Sequence, residues 1–492
     1  MYTGTYRTEC RFDCGTLLSS YEILNTVRIF LPGGKCCSDP EQAQNVSDCI
    51  LVGQRADGTV YAEVRLEDRT VTRTAPAPVT PDEDALEFAV CSLLYEVLRE
   101  MTGYTPPWGL ITGIRPVRKV IQLLENGKTP DEAAAFLRRK YHISAEKMQL
   151  ALDTALVQQP ILPHSPKEIG FYVSIPFCPT RCSYCSFVSH SMQSAYKLIP
   201  DYIARLCEEI EVCGQIIREH GLTVQSVYIG GGTPTSITAE QLRQVMETVR
   251  SHIDIGSARE YTVEAGRADT ITAEKLRVIQ EEGATRISVN PQTLQDNVLQ
   301  AIGRDHTAQQ AVDAFRLARS MGFDDINMDL IAGLPSDTLT GFTDTLEKIL
   351  ALAPDSITVH TLTLKRAADL HGSLGGRSSG ELADVMEMAA LSAKSLPAHG
   401  YRPYYLYRQK NTLGNLENVG YARQGKENLY NILIMDETQT ILAAGCAAST
   451  KIVSPSGDIS RIINHKFPYE YIHRFDQILL KKQKTRELLA CL

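Results

Sequence analysis

The sequence predicts an α/β core of six β–α units over residues 166–400, preceded by an α+β domain (1–165) and followed by a small α+β domain (401–492). Three observations predict it. From Gly170 onward, short apolar runs alternate with helix-compatible stretches, the pattern of a parallel sheet with helices outside. Before that point the chain reads as strands over 1–75 and as helices over 82–160. From about Tyr401 the alternation is lost. Periodicity alone leaves open whether the six units close into a barrel.

Each element has its own signal. CILVGQRADGTVYAEVRL (49–66) reads as two strands joined at Ala56-Asp57-Gly58, a hairpin turn. TAPAPVTPDED (74–84) is a Pro-rich break. A helix over 82–101 stops at Gly103, and a second over 116–126 stops at Gly127. Thr129-Pro130 caps a third, and Ser144 starts a fourth that ends before Pro160. The core strands begin near 171, 226, 261, 286, 326 and 356. Helices are expected over 200–219, 239–252, 272–282, 295–301, 307–321 and 339–351. The last segment holds YRPYYLYRQKN, strand-like NILIM and TILAAG, and a basic helix over 468–484.

The bulk numbers exclude some functions. At 492 residues the chain is too long for one core. Its formal charge of −8 gives no general pull toward nucleic acid or an anionic membrane, and no basic appended domain supports an RNA-modifying role. No apolar run is long enough to span a bilayer. MYTGTYRTECRF lacks a secretory pattern, so a cytoplasmic location with 13 largely reduced cysteines is expected.

In parallel α/β proteins working residues gather at the C-terminal ends of the strands. Here each of the six strands ends in a polar or Gly-rich feature: the cysteine loop, Gly230–Thr235, Glu264, Asn290 with Gln292, Asp329, and His360 with Thr361 and Thr363. FCPTRCSYCSF (177–187) spaces Cys178, Cys182 and Cys185 as C-x3-C-x2-C. A 4Fe–4S cluster held by three thiolates leaves one iron open to a chelating amine and carboxylate, as in S-adenosylmethionine. Zinc would need a fourth ligand, for which His190 is the nearest candidate. Three structural thiols are the remaining alternative, although a short loop rich in Pro and polar residues is a poor setting for inert cysteine. GGGTPT lacks the lysine of a phosphate loop and can be a tight turn. Beside an open iron, its glycines would let the backbone approach a ligand closely.

These motifs resemble the radical SAM superfamily. FYVSIPFCPTRCSYC, YIGGGTPT, VNPQT and NMDLIAGLP resemble the oxygen-independent coproporphyrinogen III oxidase family in particular. GLITGIRPVRKV (109–120) and YRQKNTLGNLENVGYA (407–422) resemble its HemZ branch. The resemblance implies a partial (β/α)6 barrel, a 4Fe–4S cluster, S-adenosylmethionine, and a low-potential donor such as flavodoxin or ferredoxin. By position it implies that Cys178, Cys182 and Cys185 hold the cluster. Tyr172 would lie near the sulfonium, Gly231, Gly232 and Thr233 near the methionyl amine. Glu264 and Arg304 would meet the amine and carboxylate, Gln292 and Asp329 the ribose, and Thr363 the adenine. Phe187, grouped with the cofactor residues, replaces the fourth cysteine of the founding oxidase. Without the resemblance, Glu264 and Arg304 read as a structural ion pair and Gln292 as a capped strand end.

The implied reaction is oxidative decarboxylation of coproporphyrinogen III to protoporphyrinogen IX by a 5′-deoxyadenosyl radical, in heme biosynthesis. The substrate's propionates call for cations and aromatic rings. Arg402, Tyr405, Arg408 and Lys410, with Tyr404 and Tyr407, offer both in one stretch, and Lys365 and Arg366 follow strand six. A solvated basic strand is the competing explanation. Two other functions fit the resemblance: a heme-binding or heme-transfer protein, and a radical SAM enzyme acting on another tetrapyrrole. The heme-chaperone branch carries His-Asn-x-x-Tyr-Trp, whereas this chain has Glu427-Asn428-Leu429-Tyr430-Asn431.

Overall fold

The computed structural model describes residues 4–12, 20–31, 34–37, 46–78, 83–162, 165–185, 189–363, 379–409 and 412–490. The chain forms two compact units: 1–152 with 373–379 and 409–411, and 153–372 with 380–408 and 412–492.

In the first unit, strands β1 (Thr5–Phe12), β2 (Lys35–Cys36), β3 (Cys49–Gln54), β4 (Thr59–Leu66) and β5 (Arg69–Pro76) form a sheet in the order β2-β1-β3-β4-β5. The β3–β4 hairpin turns where the sequence predicts it. The Asp57 carboxylate accepts the Thr59 N–H at 3.0 Å, and Gly58 takes φ +79. Val60, Ala62 and Val64 alternate inward along β4 and bury against Val90, Leu94 and Leu98 of helix Glu83–Thr102. The stretch expected to be β-rich also contains a helix, Ser20–Phe30. Ile23 and Val27, four apart, put that helix's apolar stripe into the same core. The three following helices are Pro116–Glu125, Pro130–Tyr141 and Ala145–Gln158, the last of which begins in this unit and ends in the second. Thr129 starts the second of these with a reciprocal cap: its hydroxyl accepts from Glu132 N–H, and the Glu132 carboxylate accepts from Thr129 N–H.

The second unit is built on one sheet. Its strands are β6 (Glu168–Ile175), β9 (Thr223–Gly231), β10 (Glu260–Gly266), β11 (Arg286–Val289), β12 (Ile326–Ala332), β13 (Ser356–Thr361), β14 (Arg402–Arg408), β15 (Glu417–Ala422), β16 (Thr440–Ala444), β17 (Ser449–Val453) and β18 (Ile459–Ile463). A separate two-residue pair, β7 (Phe177–Cys178) and β8 (His190–Ser191), flanks the cysteine loop. The sheet order is β14-β15-β13-β12-β11-β10-β9-β6-β16-β17-β18. The six predicted strands run parallel and adjacent, β6 to β13. The two ends of the order do not pair, so the barrel is partial. Helices Ile199–Glu219, Ala239–His252, Ala273–Glu281, Asp296–Ala301, Ala308–Ser320 and Leu339–Leu352 alternate with these strands.

Residues 401–492 continue this sheet. β15 adds antiparallel to β13, and β16 adds parallel to β6. The boundary expected near 400 therefore falls inside the second unit. NILIM, expected as a strand, lies in helix Leu429–Asp436. Asn428 caps it with its side chain, and the buried Glu260 carboxylate accepts the N–H groups of Leu429 and Tyr430 at 2.7 and 3.2 Å. A carboxylate at these donors stabilises a helix N-terminus. The basic helix expected over 468–484 is two helices, Pro468–His473 and Phe475–Leu489, parted at Arg474.

Candidate active site

The parallel ladder brings the predicted rim together. Outward residues such as Val227, Ile229, Tyr261 and Val263 are buried. The alternate positions supply the polar side chains. Register sets Tyr172 beside Tyr228 and Thr262 beside Tyr228, and it aligns Ser174 with Gly230.

Cys178, Cys182 and Cys185 follow β6 on one short loop, and none of them is in a disulfide. Cys182 is buried, and the Cys185 N–H donates to the Cys182 carbonyl at 3.0 Å. Burial pushes the Cys178 thiol up, opposed by the Thr233 hydroxyl and the charge of Arg267. The Thr233 hydroxyl lies 3.5 Å from Cys178 Sγ. A Cβ on Gly232 would come within 2.6 Å of the Phe177 carbonyl and 3.0 Å of Cys178 Sγ. Gly231 takes φ +113. Glycine is required at both positions, for different reasons.

Glu264 and Arg304 do not read as the structural ion pair that was the competing explanation, because each has other partners. The Glu264 carboxylate accepts from the Tyr228 hydroxyl. Burial pushes its carboxyl up to about 7, opposed by that hydrogen bond and reinforced by Asp329. Arg304 is 8% exposed and donates to the Asn290 carbonyl at 2.7 Å and the Tyr184 hydroxyl at 3.0 Å. Gln292 is buried at φ +69, a left-handed conformation that costs a non-glycine residue about 1–2 kcal/mol. Its backbone pairs with Asp329 and Ile331, which holds it there. Asp329 is disfavoured as an anion by burial. The nearby His360, whose Nε2 stands 3.9 Å away, and a 2.7 Å hydrogen bond from the Asn327 amide outweigh this and lower its pKa. The Thr363 hydroxyl meets Thr412 at 3.2 Å.

The substrate candidates separate. β14 runs antiparallel to β15, so Arg402 aligns with Ala422 and, through it, with Ser356 at the start of β13. Arg408 aligns with Glu417, whose carbonyl accepts the Thr361 hydroxyl at the end of β13. Arg408 therefore stands at the cysteine rim and Arg402 at the opposite end of the sheet. Arg408 is 3% exposed and donates to the Asn415 carbonyl at 3.3 Å. Tyr405 is buried with its ring over Gly420. Phe187, Lys365, Arg366 and Lys410 lie outside the described residues.

Three residues escaped the sequence reading. Tyr228 and Tyr430 stack on each other at 4.4 Å between ring centroids, and on Tyr172 at 6.2 and 5.9 Å. The period-two alternation of β9 could have placed Tyr228 inward. Arg267, on the turn after β10, reaches the cysteine loop.

The residues present fit a three-thiolate cluster and a chelating ligand. The three cysteines are not in disulfides, Gly232 leaves backbone open beside Cys178, and two buried amide oxygens, Asn290 Oδ1 and Gln292 Oε1, have no partner of their own. Among the described residues no helix is long and apolar enough to cross a membrane.

Residues 172–349 match the radical SAM superfamily, and fold and cysteine loop together define a radical SAM protein whose cofactors are a 4Fe–4S cluster and S-adenosylmethionine. Over 401 residues the chain is 42% identical to the oxygen-independent coproporphyrinogen-III oxidase-like protein HemZ of Bacillus subtilis (strain 168), covering 80% of this chain and 79% of the relative. The chain belongs to the HemZ-type, coproporphyrinogen-III-oxidase-like family of radical SAM proteins. It is also 30% identical over 309 residues to the heme chaperone HemW of Haemophilus influenzae, covering 62% and 76% of the two chains. The coproporphyrinogen III oxidase HemN of Escherichia coli matches in structure with a TM-score of 0.49 and 22% identity, over 66% of this chain and 72% of the other.

Proposed function

We propose that this protein converts coproporphyrinogen III to protoporphyrinogen IX by oxygen-independent oxidative decarboxylation. The observation that carries the reading is the convergence of the cysteine loop, the Gly231–Thr233 turn, Glu264, Gln292, Arg304 and Asp329 on one rim. The similarity to HemZ supports the substrate. Bound together, the cluster and S-adenosylmethionine supply a radical that removes hydrogen from a substrate carbon. The chain's own residues bind and orient. Cys178, Cys182 and Cys185 hold the cluster. The Glu264 carboxylate meets the methionyl ammonium and Arg304 its carboxylate, as opposite charges in a buried site should. Gln292, with its unpartnered oxygen, and the ionised Asp329 take the ribose hydroxyls. Tyr172, backed by Tyr228 and Tyr430, lies against the sulfonium, and the backbone at Thr363 takes the adenine. Arg408 and Tyr405 border the substrate, and a flavodoxin or ferredoxin delivers the electron.

A second reading, heme binding and transfer, draws support from the similarity to HemW. One experiment separates the two. The cluster is reconstituted anaerobically, and S-adenosylmethionine, reductant and coproporphyrinogen III are added. Decarboxylated porphyrin that disappears in Cys182→Ala is the expected result. Stoichiometric heme binding without that product would overturn the proposal in favour of transfer.

A further inference from the structure

Arg267 has no role in the function proposed above, yet it is 3% exposed and charged. It sits three positions after Glu264. Its Nε and Nη2 donate to the two Asp269 carboxylate oxygens at 2.9 and 2.7 Å. Its Nη1 donates to the Thr180 hydroxyl at 2.7 Å and to the Thr180 carbonyl at 3.3 Å. Thr180 lies between Cys178 and Cys182. The Thr180 hydroxyl in turn donates to the Gly303 carbonyl at 3.1 Å, and the Ser183 N–H donates to the Ile302 carbonyl at 3.1 Å. The cysteine loop is thus held from two sides, by the turn after β10 and by the end of helix Asp296–Ala301. Asp269 is itself backed by His306, whose Nδ1 stands 3.6 Å away.

We propose that Arg267 is a positioning residue of the cluster: it clamps the cysteine loop at Thr180 and places a buried positive charge beside the thiolates. Pinning alone does not explain the residue. A buried ion pair is costly to desolvate, and a neutral donor could hold Thr180. The residue that Arg267 holds, Thr180, is two positions from both Cys178 and Cys182, which puts the guanidinium charge beside both. Cluster reduction potentials depend on net charge and on the surroundings of the sulfurs. A cation here favours the more negative, reduced cluster and raises its potential. Asp269 sets how much of that charge is felt. The inference rests on Cys178, Cys182 and Cys185 holding the cluster and is independent of the substrate.

The test uses the full chain with its cluster reconstituted anaerobically. Potential is read by EPR-monitored redox titration, and cluster retention by the rate of iron loss to a chelator. Arg267→Gln is expected to lower the potential and to speed iron loss several-fold. Asp269→Asn is expected to raise the potential. Arg267→Lys, which keeps the charge without the fork, is expected to hold the wild-type potential while losing iron faster. It replaces the Gln variant if circular dichroism shows that one unfolded. The proposal is overturned if Arg267→Gln and Asp269→Asn shift the potential in the same direction or not at all, or if the potential of Arg267→Lys departs from that of wild type. A wild-type chain that loads no 4Fe–4S cluster would overturn the cysteine assignment instead.

Discussion

The Tyr228 hydroxyl donates to the Glu264 carboxylate across neighbouring strands β9 and β10, at 2.5 Å. Burial leaves the Glu264 carboxyl half-protonated near 7, so its charge depends on pH within the working range. An ammonium ligand favours the anion. Affinity for S-adenosylmethionine is expected to rise by up to about tenfold per pH unit below 7 and to level off above it. Equilibrium binding to the reconstituted protein from pH 6 to 8 checks this. Glu264→Gln is expected to bind weakly and without the pH slope. A slope that survives in that variant would assign the titration elsewhere.

The same group sets a stability slope of opposite sense in the ligand-free chain. Its carboxyl is raised from 4.5 when unfolded to about 7 when folded, so between those values the folded chain holds a proton that the unfolded chain has released. Stability from this group is fully present below about 4.5 and is lost as pH rises through 7, by on the order of 3 kcal/mol. Urea midpoints at pH 5 and 8 should differ less in Glu264→Gln than in wild type.

Much of this rim was legible because period-two alternation survives in the barrel strands. In EYTVEA, Tyr261 and Val263 face the helices, while Glu260, Thr262 and Glu264 face inward. What escaped depended on distant partners. Arg267 is explained by Thr180, 87 positions earlier, and no local pattern announces that contact. NILIM is apolar enough for a strand or a buried helix. Asn428 and the Glu260 carboxylate, 169 positions from Leu429, decide for helix. The substrate stretch separates for a different reason. One basic, aromatic strand looked like one surface, but a strand of seven residues carries Arg402 and Arg408 to opposite ends of the sheet.

That separation makes a direct prediction. Arg402→Ala is expected to leave KM for coproporphyrinogen III within about twofold of wild type, since an exposed surface change away from the site has little to disturb. Arg408→Gln is expected to raise KM about tenfold or more, the loss of one charge-assisted contact to a propionate. Steady-state kinetics on both variants decide it. Equal effects would place the substrate along the whole strand.

Gly232→Ala tests the approach of backbone to the cluster loop. The added methyl would meet the Phe177 carbonyl at 2.6 Å, and backbone cannot swing aside as a side chain can. Overpacking of this kind costs about 1–3 kcal/mol. The variant is expected to fold with a lower melting temperature and to retain less than half the wild-type iron after reconstitution. Full iron loading would mean that the loop is looser than its hydrogen bonds imply.

Among the described residues of the second unit, the most buried ion pair lies behind this site rather than in it. Glu209, fully buried, meets Lys482 Nζ at 2.8 Å and accepts from the Gly445 N–H, the Asn464 amide and the Tyr471 hydroxyl. Gly445 takes φ +101 and has no room for a Cβ beside the Ser174 carbonyl. That carbonyl accepts from Tyr202, whose oxygen also accepts the Cys446 N–H. Ser174 lies four residues before Cys178. The pair therefore fixes the turn after β16 against the strand that delivers the first cysteine. Lys482→Met would leave Glu209 a buried charge without its cation, and such deletions cost about 3–5 kcal/mol. The expected result is a large drop in the urea midpoint of the second unit. The double variant Glu209→Leu with Lys482→Met is expected to recover part of it, because no uncompensated charge remains. It should not recover iron loading, because the hydrogen bonds to Gly445 and Tyr471 are still missing. Recovery of both would show that the network contributes charge balance alone and does not order the turn.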